Sequence, residues 1–113
     1  MTQTTIFAQI INGEIPCKKL HEDIDCIAFN DIAPQAPIHY LVVPKKPIIS
    51  LIEATMEDKK LLGHLLLVGK KIADDNNIKS WRTVINTGAE SGQSVFHLHI
   101  HFLAGKTMKW PPG

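Results

Sequence analysis

The stretch FHLHIHF, residues 96–102, sets three imidazoles at alternate positions, His97, His99 and His101, with Phe96, Leu98, Ile100 and Phe102 filling the gaps. Half of the six histidines in the chain lie in this run. Histidine has the unperturbed pKa nearest neutrality, so such a row can divide labour. One neutral ring attacks, another hydrogen-bonds an anion, and a third passes a proton. In an extended chain, side chains alternate between faces. Phe96, Leu98, Ile100 and Phe102 therefore share one face, and Val95, His97, His99 and His101 share the other. A slip of one residue would drive all three imidazoles into the core, so the register is strongly specified.

Three chemistries compete for the row. A packing coincidence is hard to reconcile with three histidines in register beside a clean apolar face. A metal site meets a geometric limit. The outer Cα atoms of such a row are roughly 13–14 Å apart, whereas two nitrogens on one zinc ion are at most ~4 Å apart. All three rings cannot share an ion, although two neighbours and an outside ligand would close a site. Phosphorus chemistry fits best. Adjacent imidazoles discourage one another from charging, which keeps a nucleophile neutral, while a bound phosphate favours one imidazolium. No metal and no cofactor is expected.

The preceding loop points the same way. In SGQS (91–94), Gly92 permits close backbone approach, and Gln93 and Ser94 add polar groups and N–H donors. Successive N–H groups in such a turn form an anion-binding concavity. The phosphate-binding pattern GxxxxGK[ST] is absent. A fourth histidine, His39, alternates with Ile38 and Tyr40 in IHYLVVP and joins the same pocket if its strand neighbours the row. His21 and His64 read as surface or structural residues.

These groups need a scaffold. TTIFAQIING reads as a short helix capped by threonine, with Ile6, Phe7, Ile10 and Ile11 on one face and Asn12-Gly13 ending it. Residues 25–30, 38–44, 81–86 and 95–104 read as strands. The prolines of NDIAPQAP mark a loop, and KPIISLIEAT reads as a linker with a short helix. The long helix lies in MEDKKLLGHLLLVGKKIADDNN, where Leu61, Leu62, Leu65, Leu66, Val68 and Ile72 form a wide apolar face. The expected fold is α+β, a largely antiparallel sheet carrying the long helix on one face.

Bulk properties exclude several classes. At 113 residues the chain is expected to form one domain, 1–113. Its formal net charge of +1 recruits neither nucleic acid nor an anionic membrane, so any anion is gripped locally. MTQTTIFAQII lacks the basic region and apolar run of a secretory signal, and no segment approaches the roughly 18 apolar residues of a membrane span. A cytoplasmic location is expected, with Cys17 and Cys26 as reduced thiols.

HLHIHFLAG matches the His-φ-His-φ-His-φ-φ signature, φ being apolar, and the chain resembles the histidine-triad superfamily, specifically its Hint branch of nucleotide-binding proteins. The likeness also runs through IFAQIINGEIP, AFNDIAPQAPIHYLVVPKK, LLGHLLLVGKK, VINTGAESGQSVFHLHIH and the final WPPG. It implies a homodimer whose two sheets join into one. It also implies hydrolysis of purine nucleoside phosphoramidates, and of aminoacyl-adenylates such as lysyl-adenylate, to a nucleoside monophosphate. By the same resemblance His99 is the nucleophile. His97 and His101 flank it at the phosphate and in proton transfer, and His39 completes the relay. Asn86, Gln93 and Ser94 match phosphate and leaving-group contacts, and Gly92 matches the turn that admits the phosphate. Either Ser94 or His101 would protonate the leaving amine. Asp31 matches the ribose ligand, while Ile6, Phe7, Ile10, Phe29, Ile32 and Leu41 match the apolar slot for the base. Trp110 matches a residue that approaches the partner's active site.

Two departures from the family pattern stand out. Some relatives carry a structural zinc on an N-terminal Cys-x-x-Cys, whose positions are here Thr5 and Ala8. Asn30 stands beside Asp31 where some relatives have histidine. The competing readings are a nucleotide-binding or regulatory protein with little turnover and a dinucleoside polyphosphate hydrolase.

Overall fold

The computed structural model describes residues 4–113. Helix α1, Ile6–Ile11, starts at Thr5, whose hydroxyl accepts from the Ala8 N–H. Strands β1 (Lys19–Glu22), β2 (Cys26–Asn30) and β3 (Ile38–Pro44) follow. A 3-10 turn at Met56–Asp58, closed by a capping box between Thr55 and Asp58, leads into the long helix α2, Lys59–Asp75. Strands β4 (Arg82–Val84) and β5 (Ile100–Ala104) complete the sheet, with a 3-10 turn at Ala89–Ser91 between them. Every strand pair is antiparallel, in the order β1-β2-β3-β5-β4. The expected α+β architecture is the observed one.

Each face of the sheet buries its own cluster. On one face Leu65, Val68 and Ile72 of α2 pack on Cys26, Ala28, Tyr40, Val42, Ile100 and Phe102. Contact there is close. A Cβ placed on Gly69 would lie 1.9 Å from the Phe102 ring, and Tyr40, stacked on that ring, donates its hydroxyl to the Gly69 carbonyl at 2.8 Å. On the opposite face Phe7 and Ile10 of α1 cover Ile27, Phe29, Leu41 and Val43. Leu66, expected on the apolar face of α2, is exposed. It sits one position beyond the buried Leu65, past the edge of the stripe that meets the sheet.

Two differences from the sequence reading have backbone causes. The strand expected over 95–104 enters the ladder only at Ile100. The β3–β5 register pairs Val42 with Ile100, so its continuation would set Leu98 opposite Pro44, which has no N–H to donate. Leu98 instead donates to the Ile48 carbonyl at 2.7 Å. Phe96, released from the ladder, is exposed, while Leu98, Ile100 and Phe102 remain under α2. Strand β1 has no counterpart in the sequence reading. Three of its four residues are exposed, as suits an edge strand without an apolar face.

Among the described residues no helix is long and apolar enough to cross a membrane. Both cysteines are free.

Candidate active site

Strand β5 aims its side chains as period two requires. Phe102 and Ile100 enter the core under α2, and His101 faces the other way, paired in register with Leu41 of β3 and Val84 of β4. The chain before β5 keeps the same alternation without ladder pairing. His97 and His99 are buried beside α1, where the Phe7 ring stands edge-on to both, with centroids 6.4 Å and 4.9 Å away. His99 and His101 follow at 4.9 Å, and His39 of β3 lies 5.1 Å beyond His101. The four rings form one row.

Their hydrogen bonds fix the tautomer of each ring. The His97 Nε2–H donates to the Pro44 carbonyl at 2.7 Å. His99 donates its Nδ1–H to the His97 carbonyl at 2.9 Å, so the lone pair of neutral His99 lies on Nε2. The Gln35 backbone N–H donates to His39 Nδ1 at 3.0 Å. A backbone N–H can only donate, so the proton of His39 is on Nε2. That proton meets His101 Nδ1 at 2.9 Å, with Asp31 Oδ2 at 3.4 Å. Neutral His101 therefore carries its own proton on Nε2.

Burial governs the charges. It pushes the His97 imidazole below its ordinary range against the opposing effect of the Pro44 bond. It lowers His99 as well, despite the His97 carbonyl and Asp31. For His101, burial and then the neighbouring His99 and His39 bring the value to about 4. His97, His99 and His101 are thus held neutral at physiological pH.

His99 and His101 line a cavity of about 440 Å³. Ile6, Phe7, Ile10, Phe29, Ile32 and Leu41 form its apolar wall, and Asn30, Asp31 and Ser94 supply polar groups. The Asp31 Oδ1 accepts the Ala33 N–H at 2.9 Å, which fixes the carboxylate at the mouth. Apolar walls, a carboxylate and neutral imidazoles in one cavity suit a ligand that combines a flat apolar part with polar and anionic groups.

Other residues singled out from the sequence lie outside that lining. His97 and His39 stand behind it in the row. The Gln93 side chain is buried and spent on the chain itself, accepting from the Gly88 N–H and donating to the Ile49 and Val95 carbonyls. It holds the loop that carries Ser94. Gly92 has a φ of 101°, a region that favours glycine, and its missing Cβ would lie 3.7 Å from the Asn86 side chain. Trp110 is 82% exposed and outside the cavity of its own chain. Ile15, Pro16, Cys17 and Val95 line the cavity without having been singled out. Ile15 and Cys17 follow the turn that ends α1, where no periodicity signals which way they face.

Residues 4–110 match the family described as "Scavenger mRNA decapping enzyme C-term binding". An uncharacterized HIT-like protein of Synechococcus elongatus is 55% identical over 114 residues, covering 100% of both chains. A crystal structure of a HIT family hydrolase from Legionella pneumophila superposes with a TM-score of 0.94 at 40% identity, over 97% of this chain and 100% of that one. The crystal structure of a histidine triad nucleotide-binding protein from Candida albicans gives a TM-score of 0.82 at 30% identity, over 96% and 83% of the two chains.

Proposed function

Because this chain belongs to the histidine-triad (HIT) superfamily, we propose that it is a hydrolase of purine nucleoside phosphoramidates working through a nucleotidyl-histidine. Aminoacyl-adenylates, lysyl-adenylate among them, are further substrates of the same chemistry. The observation that carries this reading is His99, a buried, neutral imidazole whose Nδ1–H is tied to the His97 carbonyl and whose free Nε2 belongs to a ring lining the cavity. Pure binding needs no such ring. The Legionella relative is a HIT family hydrolase and the Candida relative a nucleotide-binding protein, which fits both halves of the reading.

The steps are a double displacement. The base enters between Phe7, Phe29 and the neighbouring isoleucines, and the ribose hydroxyls meet Asp31. His99 Nε2 attacks the α-phosphorus, a bond to nitrogen forms, and the P–N bond to the amine breaks. An amine leaves only when protonated, and we assign that proton to His101 Nε2–H or Ser94 Oγ–H, the donor being reprotonated by the water of the second step. Water then cleaves the nucleotidyl-His99 bond, releasing the monophosphate and restoring the neutral ring. Splitting one displacement into two easier ones is the gain of covalent catalysis. His97 acts here as a positioning residue, since its backbone sets the His99 tautomer and its ring is engaged by Pro44.

The protein is further proposed to be a cytoplasmic homodimer in which Trp110 of one subunit serves the other's cavity, in line with its exposure. The deciding experiment is a rapid quench with an adenosine phosphoramidate, followed by peptide mass spectrometry. Adenylyl-His99 is expected. Turnover without it refutes the nucleophile, and the absence of turnover favours a binding protein. A dinucleoside polyphosphate in parallel tests the neighbouring substrate class.

A further inference from the structure

Away from the cavity, on the α2 side of the sheet, four donor side chains converge. Asp23 follows β1, and its Oδ2 lies 2.7 Å from His21 Nε2, 2.7 Å from His64 Nε2 and 3.5 Å from Cys26 Sγ. Asp23 is common to two groups, His21–Asp23–Cys26 and Asp23–Asp25–His64, and within each group the donor atoms lie within 4.8 Å of one another. We propose that His21, Asp23, Cys26 and His64 form a binding site for a zinc-class divalent cation that pins the β1–β2 turn to α2.

The donor chemistry selects the ion. Two imidazoles, a carboxylate and a thiol suit zinc and its neighbours, whereas magnesium and calcium take oxygen ligands. Three protons now crowd one carboxylate oxygen, two from imidazole nitrogens and one from the thiol. A cation takes their place. Each imidazole moves its proton from Nε2 to Nδ1 and offers a lone pair without changing charge, while Cys26 loses its proton and becomes the thiolate ligand. One proton leaves for each cation bound. Tetrahedral ligand atoms around zinc are roughly 3.4 Å apart, so each imidazole nitrogen, now at 2.7 Å, retreats from Asp23 by about 0.7 Å. The side chains of His21, Asp23 and His64 are 23%, 26% and 38% exposed, which leaves the ion a way in and the rings room to adjust.

Asp23 Oδ1 accepts the Asp25 and Cys26 N–H groups at 2.7 Å and 2.9 Å, which fixes the carboxylate and leaves Oδ2 to the three side chains. The other mixed group, Asp31–His39–His101, belongs to the candidate active site, where the Gln35 N–H donates to His39 Nδ1 and so keeps the His39 proton on Nε2. The two sites lie on opposite faces of the sheet, because Cys26 packs beneath α2 while Leu41 of the cavity packs beneath Phe7 of α1.

The test is a cobalt(II) titration of the chelator-stripped full chain. One equivalent is expected to bind, with a thiolate-to-cobalt charge-transfer band and a rise in Tm. Cys26→Ser is expected to remove the band, and His21→Gln to weaken binding by about tenfold or more while leaving phosphoramidate turnover unchanged. Because Cys26 is fully buried, His21→Gln carries the test should Cys26→Ser fail to fold. Two outcomes overturn the proposal: no stoichiometric binding, or binding that survives His21→Gln and is lost in His39→Ala, which places the ion in the active cavity.

Discussion

The His99 ring and the His97 carbonyl are joined by a 2.9 Å hydrogen bond, so the residue two positions upstream decides which nitrogen of His99 is nucleophilic. A free Nδ1 would point the lone pair at the backbone. With Nδ1 protonated, Nε2 is the reactive atom, and no other side chain is needed to set the tautomer.

Truncation of that ring should separate chemistry from binding. In His99→Ala, turnover of an adenosine phosphoramidate is expected to fall by about 10³-fold or more. The monophosphate should still bind by calorimetry, because the base slot is unaltered. Loss of the ring beside Phe7 costs on the order of 2 kcal/mol, within ordinary domain stability. Hydrolysis at the original rate would remove His99 from its role.

Acid should affect activity and stability in a defined window. His99 attacks as the neutral ring, and burial holds its pKa below the usual 6.5. The acid limb of kcat/KM should therefore lie below pH 6.5. For stability, an imidazole with a depressed folded pKa stabilises fully above 6.5 and loses that contribution as pH falls toward the folded value, about 4 for His101. Urea midpoints at pH 8, 6.5, 5 and 4 are expected to be level over the first two and to fall over the last two. An acid limb at or above pH 6.5 would contradict the burial argument.

Chelation should leave kcat intact. The nitrogens of His97, His99 and His101 that make hydrogen bonds are directed at Pro44, at the His97 backbone and at His39, rather than at a common point. Exhaustive treatment with a strong chelator is expected to change phosphoramidate turnover less than twofold, even if Tm declines through the β1–β2 turn. Activity lost on chelation and restored by zinc would return the row to a metal mechanism.

Trp110→Ala should change selectivity and spare stability. The side chain is largely exposed, so its removal is expected to shift stability by no more than about 0.5 kcal/mol. The ratio of kcat/KM values across substrates with small and bulky leaving amines should change. An unaltered ratio would separate Trp110 from the cavity.

The contact between α2 and the sheet makes its own prediction. Gly69→Ala forces a methyl into the Phe102 ring and is expected to cost about 3 kcal/mol, a fall in Tm of roughly 10–20 °C. Gly63→Ala, where nothing lies within 4 Å of the added carbon, is the control. Helix propensity alone should stabilise it by about 0.5–1 kcal/mol. Equal effects at the two glycines would place the close approach elsewhere.

Much of this was legible from periodicity. Alternation through 97–102 turns the histidines away from α2, and β3 begins and ends where its β-formers and Pro44 imply. The long helix follows from three- and four-residue spacing of leucines. Contacts between distant segments had no such signal. His64 meets Asp23 across 41 positions, so no local pattern marked it as a partner of that carboxylate. Strand β1 is exposed at three of its four residues and has no apolar alternation to mark it, and Gln93 looks like a free polar group until its three bonds to the chain are seen. Starting β5 at Ile100 required knowing that Pro44 would fall opposite Leu98.

Helix α1 spans only six residues, well below the length at which a helix persists alone in water. It nonetheless supplies Ile6, Phe7 and Ile10 to the cavity wall. Docking of this segment and occupancy by a nucleotide therefore draw on the same buried area and reinforce each other. An unliganded molecule would fray first at this wall, and a bound base would act as the missing piece of its local core, so affinity and amide protection of the segment should rise and fall together.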